Sequence, residues 1–356
     1  MGLKEDRIDS AERIRTLFEH RSPDRVPINM VATGFSCRNA GLPTSVAYGD
    51  PKRAFFAMRW AADQYNWDQI PQIVSHTVVA ALDFGGEVRL PQSEYEGAMV
   101  VQSFPVKSQG DVEKLEVPNP KNSESIQRAI DMARLQEAHG LPVTFVSRSP
   151  FTFAGNLCGL QQFCKWLLKK PELCKHLMTL AMEHITNVLQ YWVDIFTAEN
   201  VFVFMSSPSE ANQIISPKQF EQFALPYHVA YQEKLRELGL KRFCFHICGD
   251  QRLNVPFLAD ISPWHHPAIL SFGHELSLES CAKYFPRDII YGNIEPAVIM
   301  TATAEKVYEI ARATIEKGRK LPAGFILSAG CELPVASPPA NVFAITKAVN
   351  DFGWYI

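Results

Sequence analysis

The segment RFCFHICGD, residues 242–250, sets Cys244, His246 and Cys248 at alternate positions of an apolar run. On a strand, residues two apart project from the same face, so the three side chains share one side. A further cysteine, Cys331, stands in LSAGCELP at 327–334, after a small-residue turn. Thiolate and imidazole are soft donors. A histidine with two cysteines leaves one position of a tetrahedral zinc ion open, the pattern of zinc that performs chemistry rather than zinc that only braces a fold. The competing reading is packing, because inward cysteines and histidines often fill space.

Positioning such a set takes several strands that end together. β-rich runs occur at 25–30, 67–74, 142–148, 200–206, 242–248, 268–273, 289–293 and 325–331. Helical patterns lie between most of them, at 122–138, 171–198, 216–237, 303–318 and 339–351, several opening on Ser-Pro or Lys-Pro. Eight strands alternating with helices predict a single (β/α)8 TIM barrel, with residues 83–120 as an inserted hairpin and 1–356 as one domain. In such barrels the strand ends carry the chemistry and the strand beginnings serve stability. His246, Cys248 and Cys331 fall at strand ends and take the metal reading. Cys244, two residues deeper, takes the packing reading.

A displaceable fourth ligand is expected from AILSFGHELSLE (268–279), which supplies His274 and Glu275. Glu275 is preferred, since a hard carboxylate gives way readily to an incoming thiolate. Its competing role is a solvated cap on the next helix. His265 and His266 precede that strand and are expected at the opposite mouth.

Composition narrows the class. The chain has 356 residues, 47% hydrophobic and 21% charged, with a net charge of −3. That excludes the basic face of a general nucleic-acid binder. No apolar run approaches the roughly 18 residues of a membrane span. The polar start MGLKEDRIDSAERIR has no signal-peptide core, so a cytoplasmic protein is expected. The eight cysteines lack the density of a secreted disulfide scaffold.

Longer segments resemble a family. RIRTLFEHRSPDRVPI (13–28), SPFTFAGNLCGLQQF (149–163), IISPKQFEQFALPYH (214–228), HICGD (246–250), YGNIEP (291–296) and GCELPVASPPANVFAI (330–345) are similar, in order, to the uroporphyrinogen decarboxylase superfamily. Within it they resemble the zinc-dependent corrinoid methyltransferases of the methylcobamide:coenzyme M kind. The resemblance implies zinc on His246, Cys248 and Cys331. The related cobalamin-independent methionine synthases, with a His-Cys-Glu-Cys set, strengthen Glu275. It also implies methyl transfer between a corrinoid such as methylcobalamin and a small thiol such as coenzyme M. The D-x-H-x-x-G motif of cobalamin-binding modules is absent, so a separate corrinoid protein is expected as partner. Arg148 is the candidate cation for an anionic tail. Asp250 and Asn293 are candidates to orient the histidine or line the mouth, with local turn bonding as their competing role.

Two departures bear on substrate. The decarboxylase proper carries an arginine-rich segment after its first strand, whereas NMVATGFSCRNAGL (29–42) holds Arg38 alone. One arginine cannot neutralise the eight carboxylates of uroporphyrinogen. The family's Asp-Pro is Ser207-Pro208 here, with Glu210 following, and that strand end is expected to face the pocket. Transfer from a methyl donor onto the corrinoid, decarboxylation of a smaller acid, and a zinc-braced scaffold remain the alternatives.

Overall fold

The computed structural model describes residues 3–68, 70–72, 79–261 and 265–355. Its backbone alternates helices with the strands of a parallel sheet, the order expected of a (β/α)8 barrel. Strands β3 (Val143–Arg148), β4 (Val201–Ser206), β5 (Arg242–Ile247), β6 (Ile269–Phe272), β7 (Ile289–Ile294) and β8 (Phe325–Ala329) form one parallel sheet in that order. The inserted hairpin is β1 (Glu87–Arg89) against β2 (Val100–Ser103), antiparallel, inside the stretch expected for it.

The expected strand at 25–30 continues the sheet past β8 by a single bridge, Ile28 to Leu327. Leu327 N–H donates to Pro27 O at 2.9 Å, and Asn29 N–H donates to Leu327 O at 3.1 Å. Pro27 has no N–H of its own, which limits the ladder on its other edge. Of the expected strand 67–74, residues 69, 73 and 74 lie outside the described residues. Asp68 N–H donates to Ile28 O at 2.6 Å, and 70–72 carry no strand pairing. Among the described residues the ring of pairing is therefore not closed.

Helices begin where the sequence supplies caps. Ser149 accepts from Thr152 N–H with Pro150 at the first helical position. The helix Pro171–Phe196 buries Leu177, Ala181, His184, Ile185, Val188 and Trp192, a stripe at helical spacing. The helix expected over 216–237 is broken into Pro217–Gln219, a π-helical turn at Phe220–Ala224, and Leu225–Glu237. Pro226 removes an N–H and crowds the preceding turn, which accounts for the irregularity. No helix of the described residues is long and apolar enough to cross a membrane.

Inside the sheet, Phe204, Cys244, Ile269, Ile289, Tyr291 and Ile326 form one packed layer, joined by Leu17 from the helix Ser10–Phe18. Cys244 thus fills space, and burial pushes its thiol up. The strand-beginning end carries a charge network. Arg13 donates to Asp24 at 2.7 and 2.9 Å and to Asp68 at 2.5 Å. Arg25 donates to Asp68 at 2.9 Å and to Asp6 at 2.8 Å. His266 lies at this end too, its Nδ1 2.7 Å from Asp288 Oδ1 just ahead of β7, and His265 is exposed.

Candidate functional site

At the other end of the sheet, β5 delivers His246 and, just past its end and ahead of a tight turn, Cys248. Gly249 makes that turn at φ +75°, where a Cβ would also stand 3.0 Å from Ala211 Cβ. Cys331 follows β8 through Gly330, where a Cβ would meet His274 N at 2.9 Å. Glycine at that point lets the loop after β8 lie against the loop after β6. The ligand atoms of His246, Cys248 and Cys331 consequently fall within 4.8 Å of one another.

The two sulfurs are 3.6 Å apart. Two thiolates at ~2.3 Å from one tetrahedral zinc ion stand about 3.8 Å apart, so the spacing fits that ion. His246 is buried, its ring stacked on Phe204 at 6.1 Å, and its Nδ1 lies 2.8 Å from Ser271 Oγ. That bond leaves Nε2 for the sulfurs. The two thiols are within hydrogen-bond reach of each other. Cys331 is held well below the usual thiol range, by the Cys248 S–H first and by His246. Cys248 is pushed up by the hydrogen bond to Cys331 and by burial.

Arg148 ends β3 and is buried, with Nη1 donating to Ser206 Oγ at 2.7 Å. Burial lowers it to about 10, against the fields of Cys248, Cys331 and Glu332. Its Nε has no hydrogen-bond partner. Burial, with Cys331 alongside, raises the Glu332 carboxyl to about 8. Glu275 lies outside the three-residue set, but its charge reaches Cys248 and its buried Oε2 has no hydrogen-bond partner. His274 is more exposed, 3.6 Å from Glu275.

Other expected residues turn elsewhere. Asp250 is bound by Arg252, at 2.9 and 2.6 Å. Asn293 donates to Gly273 O at 3.1 Å and Leu276 O at 2.6 Å, fixing the loop that carries Glu275. Neither touches His246; Ser271 orients it. Ser207 is fully buried, its N–H donating to His246 O at 3.3 Å and its Oγ accepting from Gln251 at 3.2 Å. It braces the loop after β4 and does not line the mouth. Glu210 points away from the mouth to His228 Nε2 at 2.6 Å. Arg38 is tied to Val335 O at 3.2 Å and lies over the Tyr95 ring. Nothing in the sequence marks Ser271 for this role: it sits directly across from His246 in the β5–β6 register, and only the register reveals it.

A parallel sheet with a His-Cys-Cys cluster at its strand ends defines the class, and the whole-chain comparison agrees. Residues 9–352 match the model of the uroporphyrinogen decarboxylase (URO-D) family, and the chain belongs to that family. It is 24% identical to the methylated-thiol--coenzyme M methyltransferase of Methanosarcina mazei over 63% of this chain, spanning only 57% of that relative's length. It is 20% identical to the methylcobamide:CoM methyltransferase MtaA of Methanosarcina barkeri over 75% of each chain. A solved methyltransferase from Methanosarcina mazei shares the fold, with a TM-score of 0.77 at 20% identity, covering 96% of this chain and 98% of that one.

Proposed function

We propose that the chain is a zinc-dependent methyltransferase that moves a methyl group between a corrinoid, carried by a separate protein, and a small molecule held at the strand ends. The observation that carries this reading is the convergence of His246, Cys248 and Cys331 at metal-binding spacing. Zinc bound there would supply the charge that keeps a substrate thiol deprotonated or polarises a methyl donor. The chain's own residues set the terms. Ser271 holds His246 in one orientation, and Cys248 and Cys331 give an electron-rich pair. Glu275, within electrostatic reach, is a carboxylate that can occupy the fourth position and leave it. Arg148 supplies the buried cation nearest the sulfur pair for an anionic group on the substrate.

Both directions of transfer, to coenzyme M or another thiol and from a methyl donor, use this geometry. Decarboxylation of uroporphyrinogen suits it poorly, because Arg38 is already engaged and Arg148 alone cannot match eight carboxylates. The same reading takes 1–356 as one domain, since one buried cluster runs from Val26 to Val349. It also favours the cytoplasm, whose reducing conditions keep the sulfur pair as thiols. The test is anaerobic: zinc-loaded protein and its corrinoid protein are mixed with thiols or methyl donors, and the cobalt spectrum is followed. Conversion of methylcobalamin by a thiol, or methylation of reduced corrinoid by a donor, supports the reading. An unchanged spectrum with every partner present ends it.

A further inference from the structure

Glu275 stands on the loop 273–277, between β6 and the helix Leu278–Tyr284, and the backbone of that loop is tied down. Gly273 N–H donates to Ile247 O at 3.3 Å. Asn293 donates to Gly273 O at 3.1 Å and to Leu276 O at 2.6 Å. The turn after β8 closes the loop from one side, since a Cβ on Gly330 would stand 3.3 Å from Gly273 Cα. A fixed backbone leaves the motion to the Glu275 side chain, which can change rotamer.

The Glu275 carboxylate lies folded back over Gly273. A Cβ on Gly273 would overlap Glu275 Oε2 and stand 3.3 Å from the backbone N of Gly249, the residue after Cys248. Gly273 is not among the glycines at positive φ, so this contact uses the missing Cβ and not a special backbone angle. Seated there, the carboxylate stands apart from the ligand atoms of His246, Cys248 and Cys331, yet its charge reaches Cys248. Oε2 is shut from solvent and has no hydrogen-bond partner, and His274 Nδ1 is 3.6 Å away. A carboxylate oxygen buried without a hydrogen bond is held weakly. The seat keeps Glu275 close to the sulfur pair and lets it go easily.

We infer that Gly273 is a positioning residue that provides the resting seat of Glu275. The side chain lies against Gly273 when another ligand fills the fourth position on the metal, and swings to the metal when that position is empty. This rests on the metal centre of the proposed function. A methyl group at position 273 leaves the loop's hydrogen bonds in place and crowds chiefly the far end of a flexible side chain. It should therefore deny the seat and hold the carboxylate on the metal, in competition with any incoming ligand.

Cobalt(II) in place of zinc reports its ligands in the visible spectrum, and ethanethiol, added anaerobically, serves as a small thiolate whether or not it is a substrate. The wild-type chain should take up one cobalt, and its sulfur-to-cobalt band should grow on titration with ethanethiol. Gly273→Ala should keep the cobalt and bind ethanethiol about tenfold more weakly, the effect of one crowding methyl group on the thiol-bound state alone. Adding Glu275→Gln to Gly273→Ala should restore the affinity, because the amide keeps the bulk and is a poor metal ligand. Unchanged thiol affinity in Gly273→Ala, a defect that persists in the double variant, or no thiol uptake by the wild type would overturn the inference. If Gly273→Ala does not fold, crystal structures of the zinc-loaded wild type with and without ethanethiol decide. Glu275 against Gly273 with the thiol and on the metal without it supports the seat; one position in both overturns it. Wild type that takes up no cobalt would end the metal centre and the seat together, whereas loss of the Gly273 effect alone leaves the metal centre standing. A Gly273-dependent thiol affinity beside an inert corrinoid spectrum would remove methyl transfer and leave the seat.

Discussion

The two ends of the sheet handle buried polar groups in opposite ways. At the strand beginnings, Arg13 and Arg25 bridge Asp6, Asp24 and Asp68, and Asp68 also accepts from Ile28 N–H at 2.9 Å. At the strand ends, Arg148 Nε and Glu275 Oε2 have no hydrogen-bond partner, and two sulfurs crowd together beside a histidine. The first arrangement satisfies its charges internally and resists change. The second leaves donors and acceptors for something that arrives. On the proposed function, stability and chemistry fall at opposite poles of one sheet, as the strand-end rule for such barrels anticipates.

Mutations can break this contrast. The largest effect is expected from Cys331→Ala, which should abolish zinc binding and methyl transfer together while moving the unfolding free energy of the metal-free protein by less than about 1 kcal/mol. Metal analysis beside urea denaturation checks it, within the usual range of partly exposed substitutions. Asp68→Asn should do the opposite. Leaving Arg13 and Arg25 short of a buried partner should cost about 3–5 kcal/mol in urea denaturation and lower zinc affinity little. A large zinc defect in Asp68→Asn would erase the division between the poles.

The contrast also explains what the sequence could and could not reveal. The sulfur cluster was legible because a period of two puts His246 and Cys248 on one face, and Cys331 ends another strand. The strands from 142 onward were legible for the same reason, as apolar runs between capped helices. Other features depend on partners remote in sequence. Ser271 looks like any strand serine until the β5–β6 register sets it opposite His246. Glu210 resembles a pocket carboxylate until His228, in a separate helix, takes it. Asp250 is decided locally, by Arg252 two residues on. The strand at 25–30 is reduced to two isolated bridges, Arg25 to Trp354 and Ile28 to Leu327, on either side of Pro27, an interruption that hydrophobic pattern alone does not register.

Smaller effects sharpen the picture. Burial would raise the Asp24 carboxyl, but Arg13 and the N–H groups of Arg7 and Arg25 bring it down to about 2. Because the folded value lies below the unfolded one, this stabilisation is present above pH ~4 and is lost as the pH falls towards ~2, worth about 2 kcal/mol. Acid denaturation of the metal-free protein should show it, and Asp24→Asn should flatten that limb. Ser271→Ala frees the His246 ring and should weaken zinc by about 10- to 100-fold in chelator competition, with little change in folding. The smallest change is expected from Glu275→Gln, which should retain zinc and alter substrate affinity, measured by titration of the zinc-loaded variant.

The central claim is that His246, Cys248 and Cys331 form an open, sulfur-rich metal centre. X-ray absorption at the zinc edge of the loaded protein tests it most directly. The account predicts two sulfur neighbours at ~2.3 Å, one nitrogen at ~2.0–2.1 Å and one further light atom. A shell of four sulfurs, a shell of light atoms only, or failure to take up one zinc per chain under reducing conditions would contradict it.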